Sequence, residues 1–185
     1  MRHSSDDVRD GIPDIIKIIG IGQSLRGDDA AGLSAVRFWQ QTFQAKTERP
    51  NITVDLAELP GIGLLSMLDG AAIAILVDAV RSDAQPGTVH TFTENQLEAF
   101  EGDSQSAHGW GVAETLALGR ELMPSQMPEK LILIGIEVGQ LDIGEGLSTE
   151  VELALPEAAN LIEKFVISTL DQSHDQSSSP RTSPK

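Results

Sequence analysis

Three short aliphatic runs constrain the fold of this chain more than any other feature. They occupy residues 15–19, 71–77 and 130–136, and each is apolar almost throughout. Strands of a parallel sheet that is covered on both faces read as near-continuous aliphatic segments rather than as an alternation of apolar and polar residues. Two further segments, residues 52–56 and 88–92, have strand character. The sequence therefore predicts a twisted, mostly parallel sheet of about five strands.

Helical patterns separate these strands and complete the predicted architecture. Helices are expected at about residues 29–44, 64–68, 110–123 and from residue 150 onward, where Pro156 should kink the last helix or begin a new segment. Alternation of strands and helices predicts a three-layer α/β sandwich. We assign residues 13–170 to this single domain, residues 1–12 to a disordered extension and residues 171–185 to a disordered polar tail.

A glycine-rich turn, GIGQSLRGDDAAG at residues 20–32, follows the first aliphatic run and leads into the first helix. A dinucleotide fingerprint would need glycine where Leu25 stands, and a phosphate-binding P-loop would need lysine where Asp28 stands. Carboxylates at the positive end of a helix would also repel a phosphate. The turn is better suited to a cation or a proton than to a nucleotide.

Two interpretations of the paired acids remain open at this point. Asp28 and Asp29 suit the N-cap and the first turn of a helix, where acidic residues are common. Alternatively, Asp29 belongs to a site together with Asp78, which follows the aliphatic run 71–77, and His108, which stands just before a predicted helix. Ligands of open α/β sheets bind at the carboxyl ends of the strands. His90 is expected to have a structural or exposed role.

Asp29, Asp78 and His108 form the candidate site. Two carboxylates and one imidazole can hold a divalent first-row metal such as Ni²⁺ or Zn²⁺ and leave positions open for substrate or water. The same carboxylates could instead activate a water molecule directly, provided that one has a raised pKa.

Composition excludes several classes of function. The chain has no cysteine, which rules out disulfides, thiolate nucleophiles and thiolate metal sites. Its formal net charge of −15 disfavours binding to nucleic acid. The sequence contains no apolar run of membrane-spanning length and no apolar segment typical of a secretory signal near residue 1. We therefore expect a cytoplasmic protein that does not bind membranes.

Three segments together resemble the motifs of the hydrogenase maturation endopeptidases. They are the glycine turn at 20–32, LVDAV at 76–80 and SAHGWG at 106–111, and the similarity extends over roughly residues 14–170. The chain departs from the family pattern at Gln23, at Ala30, at Ala107 and in the segment AELPG at 57–61, where a glycine-rich loop is frequent in the family. The altered loop bears on substrate choice more than on the metal site.

The resemblance implies an aspartic-type or metal-assisted protease. Such an enzyme removes the C-terminal peptide of a [NiFe]-hydrogenase large-subunit precursor after nickel insertion. The precursor would be the partner and would present the nickel, for which Zn²⁺ or Cd²⁺ could substitute. Asp29, Asp78 and His108 match the two carboxylates and the histidine of the family. Two alternatives are a nickel-sensing chaperone that inspects the precursor without cutting it, and a module that binds a nucleotide or another small anion.

Overall fold

A single five-stranded sheet forms the centre of the protein. The computed structural model describes residues 15–43, 49–94, 96, 111–139, 141–144 and 146–177, with side chains described as far as residue 171. The strand order is β2-β1-β3-β5-β4, and all neighbouring pairs are parallel except β4 and β5. The strands are β1 Ile16–Gly22, β2 Ile52–Glu58, β3 Ile73–Val80, β4 Val89–Thr93 and β5 Lys130–Glu137. The prediction of a mostly parallel sheet is confirmed.

Helices cover both faces of the sheet. Helices α1 (Ala31–Thr42) and α4 (Thr149–Ser177) pack on one face, and α2 (Gly63–Leu68) and α3 (Val112–Leu122) pack on the other. Each face has its own core of mostly aliphatic side chains, which includes Ile134 on one face and Leu76 on the other. A central strand buries side chains on both faces, which explains why its sequence is apolar almost throughout. The three-layer α/β sandwich is confirmed.

Helix α1 binds tightly to the sheet because Gly32 has no side chain. A Cβ atom at this position would lie 2.2 Å from the carbonyl oxygen of Val77 and 2.4 Å from that of Ile21. A glycine inside a helix is costly and so predicts close approach of the helix to a neighbouring element, which these distances confirm for Gly32. Val36 and Trp39 continue the same helical face and are fully buried.

Helix α4 differs from its prediction in two respects. It begins at Thr149 and continues through Pro156 as one helix, so no new segment begins there. Pro156 and Glu152 are both exposed, and water can therefore hydrate the carbonyl group that loses its helical hydrogen bond. The helix also extends to Ser177, although the sequence predicts a disordered tail from residue 171. Each further residue of an existing helix adds a hydrogen bond, so polar composition alone does not end it.

Among the described residues, no helix has the length and apolar character needed to cross a bilayer. Residues 1–14 and 178–185, which include most of the two predicted disordered segments, lie outside the described part of the chain.

Candidate active site at the carboxyl edge of the sheet

The glycine-rich turn folds back over the end of β1. Gln23 donates its backbone N–H to the carbonyl oxygen of Asp29 at 3.3 Å. A Cβ atom on Gly22 would lie 2.1 Å from that same carbonyl oxygen, and Gly27 has a φ of +57°. A side chain at residue 22 would collide with the backbone, and at residue 27 it would be strained. The glycines are therefore required for the turn that positions the two acids.

Asp28 and Asp29 lie in a short 3₁₀ turn, Gly27–Ala30, that precedes α1. Both residues are fully buried, at 0% exposure. Helix α1 begins at Ala31 and has Ala30 as its N-cap, so neither acid occupies the capping position. The prediction that Asp28 is an N-cap is wrong, whereas Asp29 does lie in the first turn, as the alternative interpretation expected, but it is buried there rather than exposed.

Asp28 binds the segment that connects β5 to α4. Its Oδ1 accepts a hydrogen bond from the backbone N–H of Ser148 at 2.6 Å, and its Oδ2 accepts one from the Ser148 hydroxyl at 3.0 Å. Oδ2 also accepts one from the backbone N–H of Gly139 at 3.3 Å. The carbonyl of Ser148 accepts the first hydrogen bond of α4, from Glu152. Asp28 therefore fixes the start of α4 next to the glycine turn.

Further hydrogen bonds, from the backbone and from Arg26, strengthen the same connection. Gly27 donates to the carbonyl of Gly144, and Gly144 donates to the carbonyl of Leu25, both at 3.1 Å. Arg26 Nε donates to the carbonyl of Leu141 at 3.3 Å. The glycine turn and the β5–α4 loop are thus held together as one unit, which fixes the backbone on both sides of Asp28.

Asp78 lies near the end of the central strand β3 and is 4% exposed. The sequence predicts that the strand ends at this residue, but β3 continues to Val80. Asp78 Oδ1 accepts a hydrogen bond from the N–H of Ala79 at 2.8 Å. Its register partner on β5 is Gly135, which has no side chain. Asp78 is therefore a buried carboxylate inside the sheet, close to its carboxyl edge.

The elements that carry Asp29 and Asp78 touch each other. The 3₁₀ turn with Asp29 contacts β3, and Gly32 packs on the carbonyl of Val77, the residue before Asp78. The fold thus brings the two predicted acids to the same edge of the sheet. The arrangement suits a cation or proton transfer, since both carboxylates are shielded from bulk water.

His108 lies outside the described residues, which resume at Gly111, the N-cap of α3. Within the described part of the chain, no three histidine, aspartate or glutamate side chains converge on a point that could hold a metal ion. Asp29 and Asp78 alone therefore do not make a complete metal centre. The participation of His108 stays a prediction.

Glu137, at the end of β5, is a buried acid that sequence reasoning did not single out. It is 1% exposed and accepts hydrogen bonds from the N–H and the hydroxyl of Ser82, at 2.5 and 2.9 Å. Its Oε2 lies 3.4 Å from Nε2 of half-buried His90, whose ring stacks on Phe92. These contacts give His90 the structural role that was expected. The sequence feature that could have identified Glu137 is the one that identified Asp78, an acidic residue directly after an aliphatic run.

Comparison with known proteins places the chain in a family. The family model for the hydrogenase maturation protease HycI matches residues 43–165, which is more than half of the chain. The chain belongs to the hydrogenase maturation protease family. The matched range includes Asp78 and His108 and begins after the glycine turn that carries Asp29.

Relatives and solved structures agree with this assignment. The chain is 27% identical to the hydrogenase expression/formation protein HupD of Rhodobacter capsulatus over 161 residues, which cover 84% of this chain and 74% of that protein. The [NiFe] hydrogenase maturation protease HybD of Thermococcus kodakarensis superposes with a TM-score of 0.65 at 27% identity, covering 82% and 98% of the two chains. The endopeptidase HybD of E. coli shares the fold, with a TM-score of 0.68 at 24% identity over 80% and 89%. The protein is therefore a peptidase of this family.

Proposed function

We propose that the protein removes the C-terminal peptide of a [NiFe]-hydrogenase large-subunit precursor after nickel has been inserted. The observation that carries this proposal is the pair of buried carboxylates, Asp29 and Asp78, on contacting elements at the carboxyl edge of the sheet. Membership of the protease family supplies the class of reaction. The names of the relatives supply the association with hydrogenase maturation.

In this proposal the nickel ion is part of the substrate. Asp29 and Asp78 offer carboxylate oxygens, and His108 offers an imidazole nitrogen, which together suit a first-row divalent ion that is already bound to the precursor. Contact with the ion would orient the precursor, so that the bond to be cut lies next to the carboxylates. Zn²⁺ or Cd²⁺ would be accepted by the same mixed oxygen and nitrogen donors.

Hydrolysis requires a base, a water molecule and an acid. A carboxylate of the pair accepts a proton from water as the water oxygen bonds to the peptide carbonyl carbon. When the C–N bond breaks, the proton passes to the departing amine, which leaves a carboxylate on the mature subunit and a free amino terminus on the released peptide. The metal can polarise the carbonyl group in this step. The mechanism is thus aspartic in type and assisted by metal.

Mass measurement of the precursor tests the proposal. Nickel-loaded and nickel-free precursors are incubated with the wild type, with Asp29→Ala, with Asp78→Asn and with Asp69→Asn as a matched control on an exposed carboxylate between α2 and β3. We expect cleavage of the loaded precursor only, its loss in the first two variants and its retention in the control. Equal cleavage by Asp29→Ala would remove that residue from the mechanism.

Two other results would favour other functions. Complex formation with an unchanged precursor mass would indicate a nickel-sensing chaperone. Thermal stabilisation by nucleotides, but not by Ni²⁺, Zn²⁺ or Cd²⁺, would indicate a module that binds small anions.

A further inference from the structure

Four large aliphatic side chains are exposed on loops at the carboxyl edge of the parallel strands. Leu25 is 64% exposed, Leu59 55%, Ile62 63% and Ile143 94%. Leu25 follows β1, Leu59 and Ile62 lie between β2 and α2, and Ile143 lies between β5 and α4. We call these four residues the aliphatic rim. The rim stands on the same edge of the sheet as Asp29 and Asp78.

Hydrogen bonds join the three loops of the aliphatic rim. The Ser24 hydroxyl donates to Glu58 Oε1 at 2.5 Å, which ties the glycine turn to the residue before Leu59. Gly144, the residue after Ile143, donates to the carbonyl of Leu25 at 3.1 Å. The rim is therefore one surface of fixed arrangement, rather than a set of unrelated exposed residues.

Exposure of this kind indicates a binding surface. Single exposed leucines are ordinary, but apolar residues that gather next to polar groups around a site indicate an interaction with another protein. Burial of one such side chain in a complex contributes enough to change affinity about tenfold. The rim can therefore supply a large part of the binding energy of a partner.

The charge around the rim determines what kind of partner fits. Glu58 and Asp142 are exposed beside Leu59 and Ile143 respectively. Arg26, the basic residue of the glycine turn, is half-buried and donates to the carbonyl of Leu141. The whole chain carries a formal charge of −15. A partner that is aliphatic and locally basic complements this surface, whereas an acidic one is repelled.

We propose that the aliphatic rim is the docking surface for the precursor. The segment it receives carries aliphatic side chains next to lysine or arginine. The inference rests on the proposed function and adds the residues that select and hold the substrate. Leu25 lies on the same glycine turn as Asp29, so a precursor that binds the rim lies beside the carboxylates.

The test compares a rim variant with a matched control variant. The rim variant combines Leu25→Ser with Ile143→Ser. The control is Leu122→Ser, because Leu122 is as exposed as Leu25, at 64%, but ends α3. Arg120, two residues before Leu122 on α3, pairs with Glu94 and donates to the carbonyl of Pro128 near the amino end of β5, so Leu122 stands at the opposite edge of the sheet. Both variants replace exposed side chains and should keep the melting temperature of the wild type.

Steady-state cleavage of a purified nickel-loaded large-subunit precursor is then measured. We expect the rim variant to raise KM about tenfold or more with kcat within about twofold, and the control to match the wild type. The charge-reversal variant Asp142→Lys should weaken capture of the precursor at low salt and match the wild type at high salt, because exposed charges are screened. An unchanged KM in the rim variant, with cleavage intact, overturns the docking surface and leaves the proposed function standing.

If the wild type does not cleave the nickel-loaded precursor, the proposed function is refuted. In that case, direct binding of the precursor to the protein tests the docking surface independently of cleavage. Capture of the precursor that is lost in the rim variant, but not in Leu122→Ser, supports the rim. Absence of capture by the wild type overturns it. Sedimentation that shows rim-dependent self-association, without capture of precursor, would assign the surface to a second copy of this chain and also overturn the proposal.

Discussion

Removal of the Asp28 carboxylate should destabilise the protein strongly although the residue has no proposed part in catalysis. Its two oxygens accept three hydrogen bonds, from the Ser148 N–H, the Ser148 hydroxyl and the Gly139 N–H, in a site with 0% exposure. Asp28→Ala leaves all three donors without an acceptor. A buried donor that loses its partner costs about 1–3 kcal/mol. We expect a loss of about 4 kcal/mol in the free energy of unfolding.

Asp28→Asn should cost much less, for a geometric reason. The amide oxygen can still accept from the Ser148 N–H, and the amide NH₂ can donate to the Ser148 hydroxyl once that hydroxyl rotates. Only the Gly139 N–H, at 3.3 Å, then loses its acceptor. The expected loss is about 1–2 kcal/mol. Both variants lose the negative charge of Asp28. The difference between their free energies of unfolding therefore reports the hydrogen bonds rather than the charge.

Urea unfolding followed by circular dichroism provides the measurement, with Asp142→Asn as the control for loss of one negative charge in the same region. Asp142 is exposed, so this variant should unfold close to the wild type. For a chain of this size a loss of about 4 kcal/mol lowers the melting temperature by about 8–16 °C. If Asp28→Ala unfolds together with Asp142→Asn, the bonds to the β5–α4 segment contribute nothing and the reasoning is refuted.

Other contacts give three further predictions for unfolding in urea. Gly32→Ala should destabilise the protein by about 2 kcal/mol or more instead of improving the helix, because its Cβ would lie 2.2 Å from a strand carbonyl; a stabilised variant would contradict this packing. Glu137→Gln should cost about 1–2 kcal/mol through its bonds to the β3–β4 loop, and an unchanged midpoint would show that these bonds are dispensable. Arg120→Lys should cost about 1 kcal/mol, since lysine cannot keep the two-pronged contact with partly exposed Glu94. The hydrogen bond to Glu94 raises the pKa of Arg120, so this contribution is present below that pKa and should persist through neutral and moderately alkaline pH.

The architecture was predictable because a strand that is buried on both faces of a sheet has a nearly continuous aliphatic sequence. The runs at 15–19, 71–77 and 130–136 need no partner elsewhere in the chain to be interpreted as buried strands. Gly32 was predictable for a similar reason, since a glycine inside a helix is costly and implies close packing. The end of β1, the end of β3 and the start of α1 were each misplaced by a few residues, because hydrogen bonds, rather than composition, set those limits.

The candidate site was predictable only in part. A pair of adjacent acids after a glycine turn indicates a site or a cap, and Asp29 was assigned to the site, but nothing local in the sequence indicates that Asp28 holds the β5–α4 segment. The partner that defines Asp28, Ser148, lies 120 residues further along the chain. Long-range contacts of this kind arise from the sheet order, which brings the β5–α4 segment beside the glycine turn. Glu137 was missed because its partner Ser82 likewise lies 55 residues away.

Adjacent acids with different roles provide a last prediction, which depends on the proposed function. If Asp29 contacts the metal and Asp28 holds the β5–α4 loop, substitutions of the two residues should have different effects on metal binding by the isolated protein. Ligand that binds only the folded state stabilises it, by about 2.7 kcal/mol at a hundredfold excess over the dissociation constant. We expect Ni²⁺ or Cd²⁺ to raise the melting temperature of the wild type and of Asp28→Asn by similar amounts. We expect no such rise in Asp29→Asn.

The comparison is internal to each variant, so the lower starting stability of Asp28→Asn does not affect it. Both substitutions remove one negative charge from the same turn, and both replace a carboxylate by an amide of nearly equal size. A general effect of charge on metal affinity would therefore weaken the response of both variants alike. Loss of the response in Asp28→Asn with retention in Asp29→Asn would reverse the assignment of the two acids. An unchanged melting temperature in the wild type would show that the carboxylates need the precursor before they hold a metal ion.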